Sequence, residues 1–188
     1  MNLQSLLNKY GIKVDLNMLL DMWNESHRSF HNLDHLNDII DQINEQSSFG
    51  LLEEKQKEKL YLTALFHDII YEPTRSDNEE RSADFFMNLC HEKTNPDILE
   101  IRDAILDTKE HKSATPLAES FNKFDMNVVE RDFEQLLHWE RGIHNEYASF
   151  GNDMYKQGRL KFLESLLDKY PNNTDNLLQL IDWVKTNY

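Results

Sequence analysis

The sequence of 188 residues holds a single cysteine, Cys90, so no disulfide can form within the chain. That usage fits a reducing compartment. Only five glycines and four prolines are present. So little turn punctuation argues against many short strands and in favour of long helices. No apolar run approaches membrane length. Leu3, Leu6 and Leu7 are interrupted by Asn8, Lys9 and Tyr10, which reads as neither a signal peptide nor a spanning helix. Positive charge is also scarce, with 20 Lys and Arg against 34 Asp and Glu and a net charge of -14. Such a surface repels phosphate backbones, so no nucleic-acid polymer is expected as a partner. A small anionic ligand would need a local positive source, either a metal or a few placed arginines. The expected location is the cytoplasm, with no membrane partner.

What is present points to a folded helical chain. The hydrophobic fraction of 39% and aromatic fraction of 11% are too high for disorder. No repeat, linker or composition shift marks a boundary, so one domain over 1–188 is expected. Leu16, Leu19, Leu20 and Trp23 recur at helical spacing, and so do Leu36, Ile39, Ile40 and Ile43. Leu60, Ala64, Leu65 and Ile69 form a third stripe, Phe85, Phe86 and Leu89 a fourth, and Ile98, Ile101 and Ile105 a fifth. Asp77 and Glu80 have capping-box spacing, and Asn95-Pro96 and Thr115-Pro116 each place a cap residue before a first-turn proline. Pro171 should stop the helix containing Phe162, Leu163 and Leu166, and a last helix should run through Leu177 to Trp183. The expected fold is an all-α bundle of eight to ten helices, with room for a small hairpin in a linker.

Eight histidines are present: His27, His31, His35, His67, His91, His111, His138 and His144. If helical, His31 and His35 project from one face and can approach one cation. His67 and Asp68 stand at the end of a strongly apolar stripe, Leu60 to Ile70. An aspartate there calls for a partner or a metal. The alternative for His67 is a helix cap or a core histidine. Imidazole and carboxylate together suit a divalent metal such as Mn, Fe, Zn, Ni or Co better than calcium. A bound cation would polarise a phosphoryl oxygen and acidify a water, and a nearby histidine could protonate a leaving oxygen. His91, His138 and His144 read as solvated or packing residues, and His27 as a surface residue ahead of the helix.

The order His, then His-Asp, then a distant Asp resembles the HD superfamily of metal-dependent phosphohydrolases. The likeness extends to a subgroup of small bacterial predicted metal-dependent HD hydrolases. Arg28-Ser29-Phe30-His31-Asn32-Leu33-Asp34-His35 is similar to its Arg-x-Tyr-His-Asn-x-x-His. Phe66-His67-Asp68-Ile69-Ile70-Tyr71, Asn78-Glu79-Glu80-Arg81-Ser82-Ala83 and the trio Ile105, Thr108 and His111 match further elements. Glu146-Tyr147 and Gly158-Arg159 match late ones, so the likeness spans about residues 23–168. The resemblance implies an HD-type fold with His35, His67, Asp68 and Asp125 as metal ligands. The ion it implies is one of Mn, Fe, Zn, Ni, Co or Mg.

His31-Asn32-x-x-His35 also resembles a segment of cyclic-nucleotide phosphodiesterases in which the first histidine is the general acid. By that resemblance His31 would protonate the leaving oxygen and His35 would bind metal. Asp68 is expected to be the second catalytic residue, orienting the attacking water as well as binding metal. His111 is a candidate second-metal ligand or phosphate contact, or a packing residue. Arg28 is a candidate phosphate contact that could instead pair with Glu79 or Glu80, and Arg159 is a second phosphate candidate. Glu79 and Glu80 themselves read as first-turn capping residues.

Two departures from the subgroup stand out. Asn127 replaces an aspartate after Asp125, and His144 replaces an arginine before Glu-Tyr. The implied activity is hydrolysis of a phosphate ester on a small molecule, a nucleotide first of all. Competing expectations are a phosphodiesterase for cyclic or dinucleotide substrates, a di-iron oxygenase of the HD fold, and a non-catalytic metal-binding regulator. Trp139, Trp183 and Tyr188 are candidate exposed aromatics for a homodimer contact.

Overall fold

The computed structural model describes residues 2–188. Among these residues there are ten α-helices and no strand, as the periodicity predicts. No linker hairpin occurs among these residues, and the one β-type contact is an isolated bridge between Ile12 and Cys90. No helix among the described residues is long and apolar enough to cross a membrane. The chain divides into two compact units, 1–125 and 126–188, at a point with no composition shift.

The first unit contains α1 (Leu3–Lys9), α2 (Leu16–Trp23), α3 (Leu33–Ser48), α4 (Glu54–Phe66), α5 (Asn78–Leu89), α6 (Pro96–Asp107) and α7 (Pro116–Asp125). α4 is its centre. Every residue from Leu60 to Phe66 is buried, so this half of the helix is enclosed on all faces. It packs against α1, α3, α5, α6 and α7. Gly11 has a φ of +66°, a conformation that costs a side-chain-bearing residue more. It turns the chain out of α1 so that Ile12 reaches Cys90.

Two of the three expected start signals form side-chain caps. Asn95 and Thr115 accept backbone N–H groups of Asp97 and Ala118. Asn32, not singled out as a cap, accepts from Asp34 and starts α3 at Leu33. Asp77 precedes α5 as expected but makes no side-chain cap bond. Its carboxylate is taken by Arg75 at 2.7 and 2.6 Å.

The second unit contains α8 (Phe133–Glu146), α9 (Asn152–Leu166) and α10 (Thr174–Asn187). α9 stops before Pro171, which opens a short 3-10 turn, Pro171–Asn173. At its heart Glu140 is fully buried and accepts from the Tyr155 hydroxyl at 2.7 Å and from Arg159 Nε at 2.6 Å. The Arg159 guanidinium also stacks on Trp139 at 4.1 Å. Trp139 is therefore buried, against the expectation of an exposed aromatic, because it supplies one wall of this ion pair. Trp183 and Tyr188 are half-buried and pack edge to face. Removing Glu140 would strand a buried guanidinium. Glu140→Ala is expected to destabilise this unit by about 3–5 kcal/mol, and Glu140→Gln by less because an acceptor remains. Urea unfolding followed by circular dichroism would measure both. A loss under about 1 kcal/mol for the alanine variant would contradict a buried pair.

Candidate metal centre

The helix α4 ends at Phe66, and the buried His67 is its C-cap residue. The His67 backbone N–H still donates to Thr63 O at 2.8 Å, which fixes the start of the side chain. Its ring lies between Trp23 and Phe121, with centroids 5.4 and 5.1 Å away. Nδ1 is 3.0 Å from Ala64 O, so it carries the proton and donates there. That assignment follows from the acceptor and leaves Nε2 facing inward. Nε2 is buried and makes no hydrogen bond.

The groups that assemble with that nitrogen, directly or through one another, all belong to the first unit. Asp68 Oδ2 is 3.3 Å away and Asp125 Oδ1, at the end of α7, is 3.4 Å away. These contacts are close enough for strong charge interaction but lie outside hydrogen-bond geometry. His35, in the first turn of α3, brings Nε2 to 3.1 Å from Asp125 Oδ1. His111 Nε2 is 2.9 Å from the other Asp125 oxygen. His31 Nε2 is 4.0 Å from Asp68 Oδ2. His35, His67 and Asp68 each present a ligand atom within 4.8 Å of the others, a group that could hold a metal ion.

His31 and His35 do meet, with ring centroids 5.9 Å apart, but not as one helix face. The Asn32 cap leaves His31 in the turn before α3. His111 likewise lies beyond the end of α6. Its φ is +49°, and that of Ser113 is +57°. Left-handed backbone at such residues costs of order 1–3 kcal/mol unless the surroundings fix it. Here Asp107 fixes it by accepting the N–H groups of Ser113 and Ala114 and the Nδ2 of buried Asn122.

The electrostatics are those of a site that requires positive charge. Burial alone would lower the His67 imidazole, but the Asp68 and Asp125 carboxylates outweigh it and push it up to about 10. Burial would raise both carboxyls, yet the facing His67 charge holds Asp68 and Asp125 well below the usual range. A proton on His67 thus balances the two buried carboxylates. A divalent metal on His67 Nε2 would take the place of that proton. The donor set, two to three imidazoles and two carboxylates, fits such an ion. Glu79, in the first turn of α5, is raised chiefly by burial, with the Asp68 charge adding to it.

Several residues around the centre carried no signal in the sequence strong enough to reveal their contacts. The irregular segment after Asp68 has no helix or sheet to satisfy its backbone. Ser82 Oγ accepts from Ile70 N and donates to Ile70 O, at 3.1 and 3.2 Å. Asn78 does the same for the N–H and C=O of Glu72. His27 Nε2 is 2.8 Å from Tyr71 O, so this half-exposed residue also holds the segment. Arg28 is enclosed rather than open to a ligand. Its acidic partner is Glu25 at 3.2 Å, not Glu79 or Glu80. Glu80 pairs instead with Lys109. Arg159 lies in the second unit, on Glu140 as described, with its Nη2 unpartnered. Asn127 falls in a 3-10 turn just after Asp125, and His144 stacks on Tyr188 at 3.9 Å. A comparison of the chain with protein-family models, curated proteins and solved structures finds no match.

Proposed function

We propose that the chain is a metal-dependent phosphohydrolase of the HD type, acting on a phosphate ester of a small molecule, with nucleotides as the first class to test. The observation that carries the reading is the inward-facing, unbonded Nε2 of His67, met by His35, Asp68 and Asp125. Those four residues would hold the ion. When bound, a divalent cation supplies a Lewis acid for a phosphoryl oxygen and a water of lowered pKa.

The rest falls to the chain's own groups. His31 keeps about a fifth of its side chain exposed, with 22% accessible, while His67 is sealed at 1%. His31 is thus the imidazole that an entering ester would meet, and it is the group to protonate the leaving oxygen. The Asp68 carboxylate, 4.0 Å from His31 Nε2, orients that ring as well as binding the ion. His111 anchors the second oxygen of Asp125 and so aims the first at His35 and His67. With a net charge of -14, the surface itself offers little to a phosphate, which favours recognition through the ion.

The test is elemental analysis of the purified protein, followed by a hydrolysis screen of nucleotides and sugar phosphates with that metal restored. Stoichiometric Mn, Fe, Zn, Ni, Co or Mg and turnover of a monophosphate are expected. Tight metal binding with no turnover of any phosphate ester would replace this reading with a regulator. Iron with oxygen-dependent turnover would replace it with an oxygenase.

A further inference from the structure

We propose that Arg28 is a positioning residue that sets the separation of His31 and Asp68. Its functional consequence rests on the metal-centre reading above, but its structural content does not. The side chain of Arg28 is completely enclosed. A single nitrogen, Nη1, donates to two backbone carbonyls, His31 O at 3.0 Å and Asp68 O at 2.8 Å. These carbonyls belong to the two residues whose side chains face each other at 4.0 Å. Nη2 donates to the next carbonyl, Ile69 O, at 3.0 Å, and Nε to Glu25 at 3.2 Å. The guanidinium lies near the rings of Trp23 and Tyr71, 5.4 and 5.5 Å from their centroids. Trp23 is also the ring that packs against His67 and His35.

The geometry explains why arginine stands here. The turn before α3 and the segment after α4 are both irregular, so their carbonyls need donors from elsewhere. One planar fork reaches three carbonyls in two segments that lie about forty residues apart in sequence. A lysine ammonium could satisfy one or two of them but could not span the set. Trp23 fixes the other side of the arrangement by donating its Nε1–H to Leu65 O. Through Arg28, the histidine on the solvent side and the aspartate of the ligand pair become parts of one rigid piece. A free phosphate-binding arginine would need its donors exposed, and these are committed to three backbone carbonyls and Glu25.

The test compares the wild-type chain with Arg28→Met and Arg28→Lys. Methionine keeps an unbranched stem between the two rings and removes every donor. Hydrogen–deuterium exchange of the metal-free proteins reads the clamp directly. In Arg28→Met, exchange should rise together in segments 28–33 and 67–72 while α10 is unchanged. Arg28→Lys should fall between that variant and wild type. Titration with Mn2+ then reads the consequence. Loss of a residue that orients ligands typically weakens metal binding about 10- to 100-fold, and Arg28→Lys should recover part of that loss.

If exchange in the two segments stays at the wild-type level, or rises uniformly along the chain, the clamp is refuted. If exchange rises locally but Mn2+ affinity does not change, its role at the centre is refuted. Should Arg28→Met fail to fold, the same comparison is made with Arg28→Lys, in which unchanged local exchange would overturn the proposal. A wild-type chain that bound no divalent ion would sink the metal-centre reading, and the exchange data would still decide on the clamp.

Discussion

His67→Gln is expected to remove metal and hydrolysis together while leaving the helices folded. His67 is the residue on which the centre converges, since Asp68, Asp125 and His35 all approach it and its Nε2 has no hydrogen bond to give up. Glutamine fills most of the space between Trp23 and Phe121, so it separates loss of the ligand from loss of packing. Alanine would combine the two effects. Loss of a residue that merely orients ligands weakens metal binding about 10- to 100-fold, so loss of a direct ligand should cost at least about 100-fold in affinity.

Asp68→Asn should give a loss of similar size by a different route, since it keeps the shape and removes the charge that holds both His67 and His31. The measurements are metal content by elemental analysis, phosphatase turnover, and circular dichroism to confirm the fold. Wild-type metal content in both variants would remove the centre from consideration. Retained metal with lost turnover in Asp68→Asn alone would instead make Asp68 a catalytic group rather than an essential ligand.

The parts of this centre that were legible in the sequence are those whose burial is chemically expensive. A histidine and an aspartate at the end of a strongly apolar stripe need an explanation wherever they occur, and α4 proves to be the enclosed central helix. Helix positions followed from spacing, because a 3.6-residue repeat is a local property. What was not legible depends on segments distant in the chain. Asn32 ends the helix before it can include His31, which a four-residue spacing cannot reveal. Asp77 had the right spacing for a cap, but the Arg75 guanidinium takes the carboxylate that would otherwise accept α5 backbone N–H groups.

Asp107, Ser82 and Asn78 act by bonding to backbone groups elsewhere in the chain, and Asn122 by donating to the Asp107 and Ser113 side chains, so their partners could not be read from their neighbours. Asn122 did carry a faint signal, as a polar residue between Phe121 and Phe124 on a buried face. Arg28 reads in the sequence as a phosphate contact or a partner of Glu79 or Glu80, and its acidic partner in the fold is Glu25. An arginine's charge suggests phosphate, while its five donors serve equally well to hold backbone together. The division at 125/126 left no mark in composition, because both units are built from the same kind of amphipathic helix.

Metal affinity is expected to rise with pH between 7 and 9, by about tenfold per unit if one proton is displaced. The sign follows from His67. Its pKa lies at about 10 in the folded chain, above the ordinary 6.5, so its imidazole holds two protons at neutral pH. A metal ligand must be neutral imidazole, so binding at Nε2 expels that proton, and the expulsion becomes easier as pH approaches 10. Asp68 and Asp125 are held far below their usual range and stay ionised throughout this window, so they add no slope. Titration calorimetry at pH 8 in two buffers of different ionisation enthalpy should detect close to one proton released per ion bound. His67→Gln should lose the slope along with the affinity.

The metal-free protein should behave in the opposite sense. A folded-state pKa raised above the unfolded value contributes stability that is complete below pH 6.5 and is lost as pH rises through about 10. Bound metal should therefore protect most on the alkaline side, where the proton on His67 no longer balances the two carboxylates. A metal affinity independent of pH from 7 to 9, with no proton released, would mean that the ion does not use His67 Nε2. The buried nitrogen would then owe its position to packing against Trp23 and Phe121 alone.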